Sequence, residues 1–178
     1  MITSNINKIN PINSMKLFGL EEHFDNLIKL YQNDKLPKII LLSGEKGIGK
    51  FTLAFHFINS VLSKKSKNNY NLNDYCLNKD SDTYKKILSN VEANFNYIGN
   101  AKPYAATIED IRNIKKKFFY SSLNNQPRFT ILDDVEMMNI NAANALLKLI
   151  EEPSDYDYFI LINNKKQNMI ETLKSRSL

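Results

Sequence analysis

The residues best suited to chemistry fall in two short groups. Gly44-Glu45-Lys46-Gly47-Ile48-Gly49-Lys50 fits the pattern G-x-x-x-x-G-K. Glycines in such a turn let backbone N–H groups point inward and cradle phosphates, and the N-terminus of the next helix adds positive potential. Lys50 would reach the beta and gamma phosphates of a nucleotide. The position after that lysine requires Ser or Thr, whose hydroxyl holds magnesium; here it is Phe51. Thr52 comes next, about 100° further round a helix, so its hydroxyl does not point at the same metal. The second group is Asp133-Asp134, which ends the run Arg128-Phe-Thr-Ile-Leu132. Asp133 is placed to orient magnesium through water, and Asp134 stands where a Glu would polarise the attacking water, with a side chain one methylene shorter. The bland alternatives are a plain glycine turn and two acids that merely solvate a strand end. Taken together, the residues predict a phosphate site that takes ATP and magnesium weakly and hydrolyses ATP poorly or not at all.

The surrounding pattern supplies the elements such a site needs. Leu20, Phe24, Leu27, Ile28 and Tyr31 recur at helical spacing before Pro37. Lys38-Ile-Ile-Leu-Leu-Ser43 reads as a strand buried on both faces, and Leu53, Ala54, Phe57, Ile58 and Val61 place a helix directly after the glycine loop. The stretch 64–82 is rich in Asn, Lys, Ser and Asp and is expected to be a surface excursion, the most mobile internal segment. Phe95-Asn-Tyr-Ile98 reads as a second strand. Thr107-Ile-Glu-Asp110 resembles a capping box ahead of Ile108, Ile111, Ile114 and Phe118, with Phe119 and Tyr120 extending the apolar end. Arg128–Leu132 is the third strand, Asn141 is expected to cap a helix from Ala142 to Glu152 that stops at Pro153, Tyr158–Ile162 is the fourth strand, and 169–174 a last short helix. Alternating strands and helices predict an α/β fold with a parallel, doubly wound sheet.

Bulk properties narrow the classes. A chain of 178 residues, 43% hydrophobic, suits one globular domain. No window approaches eighteen apolar residues, so no membrane span is expected. The polar, Asn-rich start from Met1 to Met15 lacks a signal-peptide layout, which leaves a cytoplasmic address by default. The single cysteine, Cys76, makes neither an internal disulfide nor a four-cysteine zinc site and reads as incidental. His23 and His56 have no visible metal partners and read as packing or surface residues. The net charge of +5 permits a nucleic-acid partner. Its lysines are scattered, as an AT-rich genome would produce, and the three arginines, Arg112, Arg128 and Arg176, stand out by their scarcity.

Three further segments carry a family resemblance. Asn141-Ala-Ala-Asn-Ala-Leu-Leu-Lys-Leu-Ile-Glu-Glu-Pro153 is similar to the signature that follows the acidic strand in clamp-loader subunits of the AAA+ class. Phe18-Gly-Leu20 resembles their opening, and Ser175-Arg176-Ser177 resembles their Ser-Arg-Cys motif. The matches keep the family's order from about residue 17 to 176. The resemblance implies an AAA+ P-loop core with a five-stranded parallel sheet flanked by helices. It implies a place in an open ring that loads a sliding clamp on primed DNA, as part of the DNA polymerase III holoenzyme, a nucleotidyltransferase complex. Implied partners are the gamma/tau and delta subunits, with the clamp and DNA reached through the complex. Arg176 takes the role of an arginine finger acting in a neighbour's ATP site. The helical lid and collar that continue the family fold lie beyond Leu178, so a fragment or a shortened subunit is expected.

Departures select among the subunits. The ATPase subunits keep Ser or Thr after the lysine, Asp-Glu at the strand end, and a cysteine-rich zinc insertion. This chain has Phe51, Asp133-Asp134 and, across 64–82, only Cys76, so no zinc is expected. That combination resembles delta-prime subunits from lineages without the zinc module. The rival readings are a catalytic clamp-loader ATPase, gamma/tau-like or replication factor C-like, and a stand-alone P-loop kinase. Phe51 and Asp134 weigh against the first, and the helix signature with Ser175-Arg176 against the second.

Overall fold

The computed structural model describes residues 11–64, 68–99, 106–120, 126–151, 153–165 and 168. Two compact units share the chain. One comprises Met1–Leu36 and Gly49–Glu92, the other Pro37–Ile48 and Ala93–Leu178.

The first unit is helical: α1 (Glu21–Gln32), α2 (Lys50–Leu62) and α3 (Asp82–Leu88). Helix α1 carries Glu21 and Glu22 in its first turn and Lys29 in its last, the order that complements the helix dipole, and Phe24 buries its inner face. The short helix α3 was not expected from the sequence. Ser81 caps it by accepting the N–H of Tyr84, and Thr83, Tyr84 and Ile87 bury one side. The excursion at 64–82 is more anchored than its composition suggests. Tyr70 and Leu77 are core residues, Leu77 N–H donates to Met15 O at 2.8 Å, Leu17 N–H donates to Tyr75 O at 3.0 Å, and Cys76 pairs with Lys16 and Asn71. Two apolar side chains suffice to tie down a polar loop when backbone pairing satisfies its N–H and C=O groups.

The second unit holds β1 (Ile39–Ser43), β2 (Phe95–Ile98), α4 (Ile108–Tyr120), β3 (Arg128–Leu132), a 3-10 turn (Val135–Met137), α5 (Ile140–Ile150) and β4 (Asp157–Asn163). Among the described residues the strands form a parallel four-stranded sheet in the order β1-β4-β3-β2, rather than five strands. Ile39, Leu41, Ile98, Leu132, Phe159 and Leu161 meet Ile111 and Ile114 of α4 and Ala142, Ala143, Leu146, Leu147 and Ile150 of α5 in one core. Strand β3, inside the order, is buried at every position. Strand β1, expected to be buried on both faces, ends the order and is fully buried only at Ile40. An apolar run identifies a strand but not its place in the sheet. The capping box is present: Thr107 N–H and Oγ1–H both donate to Asp110 Oδ2, at 3.0 and 2.7 Å. The cap of α5 is Asn139, not Asn141; its Oδ1 accepts Ala142 N–H at 2.8 Å, so Asn141 lies within the first turn. No helix among the described residues is long and apolar enough to cross a membrane.

Candidate functional site

Strand β1 delivers the glycine loop. Ser43 lies in register with Asn163 of β4, and Gly44 N–H donates to Asn163 O at 3.2 Å. Gly47 and Gly49 have φ of 93° and 92°, a region an L side chain rarely adopts. A Cβ on Gly49 would also come within 3.0 Å of Leu20 Cδ1. Gly49 is the N-cap of α2 and accepts Leu53 N–H at 2.8 Å, and Lys50, the first helical residue, is buried. Phe51 and Thr52 follow, both half-buried. The Phe51 ring stacks on Phe55 one turn along, with centroids 5.9 Å apart and planes 14° apart. The side chain where a magnesium-holding hydroxyl belongs instead makes an apolar i,i+4 contact.

Strand β3 delivers the acids. Asp133 N–H donates to Ile98 O at 2.8 Å, so ladder pairing runs to the end of the strand. Asp134 then takes φ 55°, left-handed, and turns the chain into the 3-10 segment. Asp133 Oδ1 accepts Asp134 N–H at 2.8 Å and Asn164 Nδ2 at 2.9 Å. The same amide donates to Asp134 Oδ1 at 2.7 Å, and Asn164 N–H donates to Glu136 Oε1 at 3.1 Å. Asp133, Asp134, Glu136 and Asn164 are all buried. The fold thus gathers three carboxylates around one asparagine just past β4. Asn164 and Glu136 were missed in the sequence. The available signal was the polar pair Asn163-Asn164 closing the apolar run of β4, which is hard to notice in a chain so rich in asparagine.

The loop has left-handed glycines, a helix N-terminus and a lysine. Phe51, by contrast, supplies no oxygen, and Asp133 Oδ1 already receives two N–H bonds. Among the described residues no group of three His, Cys, Asp or Glu side chains is placed to hold a metal ion. Of the scarce arginines, Arg112 is exposed and pairs with Glu109 at 3.9 Å, whereas Arg128 is buried against Asp157 at 2.6 Å. Arg176 lies outside the described residues, as does the expected helix 169–174.

Comparison with known proteins carries this further. Residues 19–178 match the family described as DNA polymerase III, delta subunit. The chain belongs to that family. It is 30% identical over 165 residues to DNA polymerase III subunit delta' of Buchnera aphidicola subsp. Acyrthosiphon pisum, covering 92% of this chain and 49% of the relative. It is 29% identical over 153 residues to the delta' subunit of Buchnera aphidicola subsp. Schizaphis graminum, covering 86% and 45%. A gamma/tau subunit of Mycoplasma genitalium is 28% identical over 95% of this chain and 27% of its own length. The chain spans about half the length of the delta' relatives. Its fold is similar to that of a DNA polymerase III gamma subunit-related protein from Thermotoga maritima, with a TM-score of 0.54 at 21% identity, covering 85% of this chain and 44% of that one. PCH-2 of C. elegans also gives a TM-score of 0.54, at 15% identity, over 93% and 43%. The α/β fold is thus shared with both structures.

Proposed function

We propose that this chain is a delta-prime-like subunit of a DNA polymerase III clamp loader, acting in the cytoplasm, that completes a neighbour's ATP site without turning over ATP itself. The observation that supports this reading best is Phe51. At the first turn of the helix opened by the phosphate loop, an aromatic ring stacked on Phe55 replaces the hydroxyl that would hold magnesium. The phosphate cradle is retained, so weak nucleotide binding through phosphates is compatible with the loop, while Asp133 and Asp134 are engaged by Asn164. Gamma/tau and delta subunits are the partners this role requires. The clamp and primed DNA are reached through the assembled complex.

Arg176 carries the mechanistic part of the proposal. An arginine finger sets a fixed positive charge against the gamma phosphate as negative charge develops there, which in P-loop NTPases is worth on the order of a thousandfold or more in rate. In a clamp loader reconstituted with gamma-type and delta subunits, Arg176→Ala is expected to leave assembly intact and cut DNA-stimulated ATP hydrolysis at the adjoining gamma-type site by about that factor. Arg176→Lys restores part of it, because an ammonium lacks the planar fork that meets phosphate with two bonds. Unchanged hydrolysis at that junction in an assembled Arg176→Ala complex would show that Arg176 is a surface residue.

A further inference from the structure

Within the helical unit, His56 of α2 is completely buried and fully engaged. Its Nε2 lies 2.8 Å from Ser14 O, a carbonyl that can only accept, so Nε2 carries the proton. Nδ1 is then a bare acceptor, 2.9 Å from the hydroxyl of buried Tyr70, which donates to it. Tyr70 is held in turn. Its N–H donates to Ser63 Oγ at 3.0 Å, its ring stacks on Phe24 at 5.2 Å, and its edge meets the imidazole at 5.5 Å. Ser14 opens the segment that pairs with the excursion through Leu77 N–H to Met15 O and Leu17 N–H to Tyr75 O. One imidazole therefore fastens both partners of that pairing to α2.

We infer that His56 is a pin that holds the 14–17 segment and the 68–77 excursion on α2, and that protonating it releases both. In the described part of the excursion a buried neutral imidazole does the fastening. A second proton would put an N–H on Nδ1, which the Tyr70 hydroxyl can meet only by turning its own proton away and accepting, and would put a charge on a buried ring. Tyr70 cannot relieve this by giving up its own proton, because burial, and after it Cys76, Tyr75, Asp25 and Glu21, push its pKa upward. The charged groups facing the cluster are Glu21 and Asp25 of α1, and Asp25 already accepts the Tyr75 hydroxyl at 2.8 Å. Cys76 and Tyr75 face it from the excursion, and from α3 the Tyr84 hydroxyl donates to Ile12 O. Burial outweighs the Ser14 carbonyl and holds the His56 pKa below its ordinary value of 6.5. The sign follows: the released state binds the extra proton more readily, so the pinned state is favoured above about pH 6.5 and loses ground as the pH falls below it.

Hydrogen exchange on the whole chain, with imidazole ¹⁵N spectra, tests this. The expected results are an Nε2–H tautomer for His56 and protection factors in 14–17 and 68–77 that fall by up to about tenfold per pH unit below about pH 6.5. Strands β3 and β4 lie in the unit that contains no histidine, and their protection stays constant over the same range. His56→Gln, which keeps a donor and an acceptor but does not titrate, flattens the response. Tyr70→Phe removes the bond that favours the neutral ring, brings the pinned-state pKa of His56 back toward its ordinary value, and so shrinks the pH response. An Nδ1–H tautomer, an undiminished pH response in His56→Gln, or equal losses in β3 and β4 would each overturn the inference. The tautomer and the exchange profile of the unaltered chain decide the matter even where a variant fails to fold.

Discussion

The two ends of the sheet both bury charge, and they do so differently. At the amino ends of β3 and β4, Arg128 Nε meets Asp157 Oδ1 at 2.6 Å. Ser154 Oγ closes the group, donating to Asp157 Oδ2 at 2.8 Å and accepting from Arg128 at 3.3 Å. Opposite charges are matched within one small ring, a structural solution. At the carboxyl ends of the same strands, three carboxyl side chains, Asp133, Asp134 and Glu136, collect around Asn164. Stability alone gives no reason to crowd carboxylates. The carboxyl edge of an open α/β sheet, however, is where ligand sites form, and the glycine loop leaves β1 at that same edge.

The contrast is tested first at the amino end. Arg128→Ala leaves Asp157 buried without its guanidinium, and the sheet unit is expected to lose about 3–5 kcal/mol, read from urea unfolding followed on β3 and β4 amides. A loss near that of a surface salt bridge would mean that the pair is not structural. At the other end, Asn164→Ala removes one amide shared by two carboxylates and is expected to cost about 1–3 kcal/mol by the same measurement. If the Asn164 variant cost more than the Arg128 variant, the carboxyl edge would be the true keystone and the comparison would invert. The smallest change is Phe51→Ser. Loss of the Phe55 stacking costs about 0.5–1.5 kcal/mol, while nucleotide affinity, measured by calorimetry with and without magnesium, gains a magnesium dependence. Hydrolysis is not expected to follow, since Asp134 remains in place of a glutamate.

Much of this was legible in the sequence because local pattern and tertiary role agreed. All four described strands fall where the sequence marks strands, and the glycine loop falls between a strand and a helix, as its motif demands. The reading went wrong where several residues compete for one role or where few residues carry the signal. Asn139 and Asn141 are both plausible caps, and Asn139 takes the role because Ile140 is already helical. Helix α3 escaped because it is short and its buried side rests on Thr83, Tyr84 and Ile87. The excursion reads from its composition as a surface segment, and the two residues that reach the core from it, Tyr70 and Leu77, are too sparse to show in a pattern. Asn164 does its work through the partners that folding brings to it, 28 to 31 residues away in the chain, and no local pattern announces them.

On the proposed function, this subunit lends chemistry to a neighbour and performs none of its own. Steady-state ATP turnover by the purified chain, alone and then mixed with gamma-type subunits, tests it most directly. The account predicts negligible turnover alone and hydrolysis only in the mixture, at the partner's site. Turnover by the isolated chain at about 1 s⁻¹ or faster, the range of a working enzyme, would contradict it and make the chain a catalytic ATPase despite Phe51.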